Sequence, residues 1–165
     1  MSSEILNDAE KKLCGELLES LRTESTSLLS AILSSQDGLL LAYSTHPNAD
    51  VEEDAIAAMS ASVLSLGDAL AGQAGQAVSN KIMSEADESS LVIMHAGEMI
   101  LTVIGTAGTN MGMVLHASHH VVQIIENDLS KVETKALKHA EMKPAFNCNM
   151  DNLLDKVMKE IENKK

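Results

Sequence analysis

The sequence predicts an α/β fold: a two-layer sandwich whose five-stranded antiparallel sheet is covered by helices, in the order α-β-β-α-β-β-β-α. Apolar residues at helical spacing predict a helix at each end of the domain. A long Ala/Ser/Gly-rich helical segment lies in its middle. Short apolar runs separated by turn sequences lie between these helices. Because the connections within each group of runs are too short for parallel crossovers, neighbouring strands are predicted to be antiparallel.

The first helix and the first hairpin form the amino-terminal part of this pattern. An amphipathic helix is predicted between Ile5 and Leu21 from Leu13, Leu17, Leu18 and Leu21, which lie among charged residues, although Gly15 costs roughly 1 kcal/mol relative to alanine. The apolar runs 26–33 and 39–44 then flank Asp37-Gly38, a pair typical of tight hairpin turns. Two antiparallel strands joined at this turn are therefore expected.

A long helix is predicted from Val51 to Val78, and the remaining elements are arranged around it. Asp50 is the predicted N-cap, and the acidic first turn favours the positive end of the helix dipole. An apolar row at helical spacing is expected to face the core: Ile56, Met59, Val63, Leu66 and Leu70. A second row contains only small residues: Ala58, Ser62, Ser65, Ala69 and Gly72. The helix is thus expected to be buried in its own domain or to pack also on a second copy.

Three more strands and a last helix complete the predicted domain. The strands are predicted at 80–86, 91–95 and 99–104, and the helix at Met111–Leu129. The apolar stripe of that helix consists of Val114, Ala117, Val121, Ile124 and Ile125. Residues 1–129 are therefore expected to form one domain. Residues 130–165 are expected to be a C-terminal extension, partly helical between Asn149 and Glu162.

Charge and composition restrict the partners that the chain can bind. Residues 25–129 contain twelve acids and one base, Lys81, a net charge of −11, whereas residues 130–165 contain eight bases and six acids. An acidic domain with 1% aromatic residues is unsuited to nucleic acid or to anionic lipid, and it attracts basic partners. We found no apolar run of membrane-spanning length and no signal pattern, so a cytoplasmic protein without membrane insertion is expected. Cys14 and Cys148 are expected to be reduced.

No motif in the sequence indicates an enzyme, and no cofactor or catalytic residue is predicted. His116 and His120 lie one helical turn apart, a spacing that can hold a transition metal, and His119 lies beside them. No cysteine or acid joins them at the expected spacing, so a polar helix face is the preferred interpretation. The glycine-bearing segment Gly105–Gly112 lacks the Lys-Ser or Lys-Thr of a nucleotide-binding loop.

Four short segments carry a resemblance through their order and spacing. They are D-G-L-L-L-A (37–42), I-A-A (56–58), M-I-L-T-V-I (99–104) and N-M-G-M-V (110–114). Together they resemble the Roadblock (dynein light chain) and MglB family of regulators of Ras-like small GTPases, over roughly residues 13–129. The resemblance implies a profilin-like sandwich that forms dimers, with the long helices side by side and the following strand paired with its twin. The dimer interface that it implies here consists of Ala58, Ser62, Ser65, Ala69, Gly72, Lys81, Met83 and Glu85.

The resemblance further implies a non-enzymatic homodimer that activates or tethers a Ras-like small GTPase. The chain contains a single arginine, Arg22, near the end of the first helix. An arginine finger stabilises the charge of the phosphoryl-transfer transition state, and a single poorly placed candidate makes that mechanism unexpected. The alternative interpretation is a profilin-like sensor domain that binds a small ligand on a Met-rich sheet face.

Overall fold

Eight elements follow one another in the computed structural model, which describes residues 6–75 and 79–135. They are α1 (Asp8–Thr23), β1 (Leu28–Ser35), β2 (Leu40–Thr45), α2 (Glu53–Gln73), β3 (Lys81–Glu85), β4 (Ser89–Ala96), β5 (Met99–Thr106) and α3 (Met111–Lys135). This order confirms the predicted one, and most ends lie within a few residues of those expected.

The five strands form one antiparallel sheet in the order β2-β1-β5-β4-β3. The predicted hairpin at Asp37-Gly38 is confirmed, and Gly38 has a φ of +82°, which glycine adopts without steric cost. β1 and β5 are central, whereas β2 and β3 are the two edge strands. The five-stranded antiparallel sheet and the order of the helices confirm the predicted fold class.

Helices cover both faces of this sheet. α1 and α3 contact each other and pack on one face, where buried strand residues such as Leu33, Leu101 and Val103 form the larger core. α2 packs on the other face, where Ala61 and Leu64 contact a smaller core formed with Ile93 and Ile100. The domain therefore has three layers rather than the predicted two, because the strands alternate buried residues toward both faces and each face is covered by helices.

α1 begins with a capping box that the sequence analysis did not predict. Asn7 Oδ1 accepts a hydrogen bond from the backbone N–H of Glu10 at 2.9 Å, and Glu10 Oε2 accepts one from the backbone N–H of Asn7 at 2.8 Å. The side chains of Leu17, Leu18 and Leu21 are buried, as predicted.

α2 differs from its prediction at both ends. Its N-cap is Glu52, whose side chain makes no capping hydrogen bond, so the predicted cap at Asp50 is wrong. The helix ends at Gln73 rather than at Val78, and Gly75 follows with a φ of +76°. Residues 76–78 lie outside the described part of the chain.

The face that α2 turns to the sheet also differs from the prediction. The buried residues are small or medium in size: Ala57, Ser60, Ala61 and Leu64. Of the row predicted to face the core, Ile56 is half-buried and four residues are exposed: Met59 (55%), Val63 (41%), Leu66 (66%) and Leu70 (71%). The predicted orientation of the apolar row is therefore wrong.

Close approach to neighbouring elements explains why small residues occupy the inner side of α2. A Cβ atom on Gly38 would lie 2.8 Å from Ala58 Cα, so the β1–β2 turn lies directly against the helix backbone. A Cβ atom on Gly67 would lie 2.6 Å from Ile82 Cδ1 of β3. Larger side chains at these two contacts would hold the helix away from the sheet, whereas Leu64 is accommodated in the smaller core.

α2 is also the one helix in the described ranges that is long and apolar enough to cross a membrane, by length and composition alone. It has 21 residues and a mean hydropathy of 1.5, contrary to the expectation that no segment of that kind exists. Its contacts with the sheet make it an element of the folded domain, and its outer face accounts for much of the apolar character.

α3 confirms the apolar stripe predicted for it. Val114, Val121, Ile124 and Ile125 are buried, and Ala117 is half-buried. The backbone N–H of Gly97, in the β4–β5 turn, donates to Glu126 Oε1 at 3.0 Å and fixes α3 to that end of the sheet. The helix continues to Lys135, across the domain boundary expected after residue 129. The helix predicted at 149–162 lies outside the described residues.

Candidate dimer and partner-binding surface

The outer side of α2 carries two parallel rows of exposed residues. The apolar row consists of Met59, Val63, Leu66 and Leu70 and points away from the sheet. The small row consists of Ala58, Ser62, Ser65, Ala69 and Gly72, and all five are exposed. Since a helix has 3.6 residues per turn, the small row lies on one flank of the apolar row. An apolar strip beside a flank without bulky side chains allows another helix to approach closely.

The edge strand β3 lies beside this helix. Lys81, Met83 and Glu85 have exposed side chains, and within the described residues β3 pairs with β4 alone. The contact between Gly67 of α2 and Ile82 of β3 places helix and strand side by side. A strand with an unpaired outer edge offers its backbone N–H and C=O groups to another strand.

Asp68 connects α2 to the beginning of β3. Its Oδ1 accepts a hydrogen bond from the backbone N–H of Ser79 at 2.8 Å, and its Oδ2 lies 3.2 Å from Nε2 of His95 on β4. Both Asp68 and His95 are half-buried. The α2 surface and the β3 edge are therefore held together as one continuous surface.

All eight residues predicted for a dimer interface lie exposed on these two neighbouring elements. Sequence reasoning missed the four exposed apolar residues, Met59, Val63, Leu66 and Leu70, because it assigned them to the core. A signal was present in the sequence: apolar and small residues encircle most of the helix. That is more apolar surface than one contact with a sheet can cover.

The predicted histidine group is not arranged as a metal centre. In the part of the chain that the structure describes, no group of three His, Cys, Asp or Glu side chains could hold a metal ion. His116 and His119 are exposed and His120 is half-buried. The charges of His120 and His116 act on Glu24 at the end of α1, where they lower the pKa that partial burial raises.

The glycine-bearing segment between β5 and α3 is a turn closed by its own hydrogen bonds. Thr109 Oγ1 donates to the carbonyl of Thr106 at 2.6 Å, and a Cβ atom on Gly105 would collide with Thr109. Asn110 Oδ1 accepts from the backbone N–H of Met113 at 3.2 Å and caps α3. The segment therefore serves as a strand-to-helix connection.

Arg22 forms a hydrogen bond within the domain, and Cys14 is buried in its core. Arg22 Nε donates to Ser44 Oγ at 2.9 Å, so the half-buried guanidinium joins the last turn of α1 to β2. Cys14 is a free, buried thiol. Burial, together with the charge of Glu10, raises the pKa of the Cys14 thiol to about 11, so the thiol remains protonated at neutral pH and is a poor nucleophile.

The alternative of a small-ligand sensor required an open, Met-rich sheet face. Met94 and Met99 are buried in the core beneath α1 and α3. Among the described residues, the exposed methionines lie on three separate elements: Met59 on α2, Met83 on β3 and Met113 on α3. The structure therefore lends no specific support to a ligand cavity on that sheet face.

Comparison with known proteins places the chain in a family. Residues 15–105 match the family model of the Roadblock/LC7 domain. The chain belongs to the Roadblock/LC7 family. The match spans more than half of the chain and confirms the resemblance; it includes three of the four short segments, and 110–114 lies beyond it. A comparison with curated protein sequences gave no match.

Solved structures with the same fold include two MglB structures and one Roadblock/LC7 domain. An MglB with a tetrameric arrangement is 22% identical with a TM-score of 0.71, over 79% of this chain and 98% of that one. The gliding protein MglB of Thermus thermophilus is 22% identical with a TM-score of 0.70, over the same shares. The Roadblock/LC7 domain of Streptomyces avermitilis is 22% identical with a TM-score of 0.64, over 70% of this chain and 97% of that one. At these identities the likeness establishes the fold.

Proposed function

We propose that this Roadblock/LC7 domain is a non-enzymatic regulator that forms a homodimer and binds a Ras-like small GTPase, which it activates or tethers. The observation that carries the proposal is the exposed apolar row of α2 beside the unpaired edge of β3. Soluble monomers rarely expose contiguous apolar patches larger than roughly a few hundred Å². Patches above that size mark interaction sites. The exposed apolar surface of α2 therefore supports binding of a protein partner.

A second copy of the chain fits this surface. In a two-fold dimer the same patch occupies both sides of the interface, and two α2 helices side by side would cover both apolar rows. The small row would let the backbones approach, and pairing of β3 with its twin would satisfy both strand edges. The tetrameric arrangement named for one MglB relative is in keeping with assembly of this fold.

The GTPase partner rests on the family. The Roadblock/LC7 match supports a regulatory, protein-binding domain, and the resemblance to MglB-type regulators implies a Ras-like GTPase. The charge of −11 over residues 25–129 would attract a partner with a basic surface.

Any stimulation of GTP hydrolysis is proposed to act on the switch residues of the GTPase itself. An arginine finger must reach into the partner's nucleotide site. The sole arginine of the chain, Arg22, is half-buried and bonded to Ser44. Repositioning of the partner's own catalytic groups requires no such side chain.

The dimer is tested by comparing two residues that are equally exposed. Leu66 on α2 and Met113 on α3 are each 66% exposed and lie on opposite sides of the sheet. Leu66→Glu should give a monomer in light scattering, because it places a charge within the apolar row. Met113→Glu should remain dimeric. A dimeric Leu66→Glu variant, or a monomeric wild-type chain, would contradict the proposal.

The GTPase is tested with the purified Ras-like GTPase whose gene lies nearest to that of this chain. The wild-type chain should bind it in the presence of a non-hydrolysable GTP analogue and much more weakly in the presence of GDP. Binding with neither nucleotide, or equal binding with both, would count against a regulator of the GTPase cycle. A monomer whose melting temperature rises with a metabolite would instead support the sensor.

A further inference from the structure

A small pocket opens between the end of α1 and the beginning of α3, on the side of the sheet opposite to α2. Its volume is about 60 Å³. The buried side chains of Leu28 and Val114 and the half-buried Ala117 make it apolar, whereas Met113 and Glu24 line it from exposed positions. The pocket therefore combines an apolar interior with an acidic group at the surface.

Glu24 carries a carboxylate to which no described lysine or arginine forms an ion pair. Partial burial raises the pKa of its carboxyl group, and the neighbouring His120 and His116 oppose that shift. Glu24 is also the C-cap of α1, where the negative end of the helix dipole disfavours a carboxylate. An added cation would compensate both effects.

The size of the pocket decides what class of group can enter. Sites for small metabolites usually measure about 300 to 1,000 Å³. A volume of about 60 Å³ admits the end of one side chain. An apolar side chain matches the apolar interior, and a lysine or arginine next to it in the partner would meet the Glu24 carboxylate at the surface.

The charged groups that act on Glu24 directly are His120 and His116, and an acidic turn lies near the loop that follows β5. The backbone N–H of Ala107 donates to the carbonyl of Glu88 at 2.9 Å, so the acidic turn Asp87-Glu88 lies beside the loop that contributes Thr109 to the pocket. Charge complementarity therefore selects a basic partner.

We infer that this pocket is a second docking site, for a protein partner that presents a lysine or arginine side chain next to an apolar one. The apolar side chain of the partner enters the pocket, the neighbouring basic head pairs with Glu24 at the surface, and Met113 covers the inserted apolar side chain. Methionine is flexible and polarisable, which suits it to such a contact. The site lies across the sheet from the α2–β3 surface, so it is available in the monomer and in the proposed dimer.

The test uses the full chain with ¹³C-labelled methionine methyl groups and two acetylated peptide amides, Leu-Lys-Leu-Lys and Leu-Glu-Leu-Glu. Addition of the lysine peptide should shift the methyl signal of Met113 and leave those of Met59 and Met83 unchanged. The glutamate peptide should shift none of them. Glu24→Gln should weaken binding of the lysine peptide about tenfold, because it removes one close charge pair.

Glu98→Gln provides the matched control. Glu98 is exposed in the β4–β5 turn, at the other end of the sheet, and its substitution changes the net charge equally. Equal weakening by Glu24→Gln and Glu98→Gln would show general charge attraction and overturn the inference, as would an unshifted Met113 signal. The Leu66→Glu variant should still bind the lysine peptide, so failure of the proposed dimer and failure of this site give different results.

Discussion

The Asp68 carboxylate lies 3.2 Å from His95 of β4, measured from Oδ2 to Nε2. Because its other oxygen accepts from the backbone N–H of Ser79, one side chain joins α2 to β4 and to the residues that lead into β3. These contacts fix the distance between the exposed face of α2 and the edge of β3. Any partner that binds both elements at once depends on that distance.

Asp68→Ala should lower the free energy of unfolding by about 1 to 2 kcal/mol, because it leaves the N–H of Ser79 and the ring of His95 without this partner. Amide hydrogen exchange should accelerate over 81–85, since Ser79, just before β3, loses its hydrogen bond to α2. Asp68→Asn should cost less, because its side-chain carbonyl can still accept from Ser79. Glu98→Ala, at an exposed position, is the control. Unchanged exchange in β3 would show that Asp68 does not position the strand.

Backbone conformation and lack of space both disfavour a side chain at Gly38, whereas backbone conformation alone disfavours one at Gly108. Both have a positive φ, +82° and +75°, but a Cβ atom on Gly38 would lie 2.8 Å from Ala58 Cα, whereas nothing lies within 4 Å at Gly108. Gly108→Ala should cost about 1 kcal/mol from backbone strain alone. Gly38→Ala should cost a further 1 to 3 kcal/mol, roughly, because α2 must move away from the turn. Equal losses in chemical denaturation would show that the contact with α2 is unimportant.

The contact at Gly38 also explains where sequence reasoning failed. Apolar periodicity predicted the helices and the strands because local spacing alone reveals them. The orientation of α2 depends on how closely the β1–β2 turn and β3 approach it, and spacing within the helix carries no information on distant segments. Ala57 and Ala61 face the sheet because they are small, and Leu66 and Leu70 remain outside. The rule that large apolar residues face the core holds only when every apolar side chain is covered by the same chain. It fails for side chains that another molecule covers.

Part of the candidate interface was predictable, because the small row of α2 depends on local spacing alone. A row of small residues at helical spacing is visible in the sequence, and all of its members proved to be exposed. The pocket beside Glu24 was not predictable, because it brings together the end of α1, the start of β1 and the first turns of α3. No local pattern indicates which helix ends meet in space.

The ionisation of Cys14 should lower the free energy of unfolding as the pH rises from about 9 to about 11. The unfolded thiol ionises near its ordinary pKa of 9.0, whereas the buried thiol keeps its proton up to about 11. The folded state thus binds more protons in this window, and stability falls by up to roughly 3 kcal/mol before levelling off. The measurement is the difference in unfolding free energy between the wild type and Cys14→Ala, since other groups titrate in both. A difference that is independent of pH would contradict it.

Arg22→Ala should leave any stimulated GTP hydrolysis intact while lowering stability by about 1 kcal/mol, the net contribution of one hydrogen bond. The matched control is Ser44→Ala, which removes the same 2.9 Å bond to Arg22 Nε but keeps the guanidinium. If Arg22 only joins α1 to β2, the two variants should lose similar stability and stimulate the partner GTPase equally. Single-turnover hydrolysis, measured at saturating regulator, separates the two roles. A collapse of stimulation in Arg22→Ala alone, with GTPase binding intact, would reveal an arginine finger.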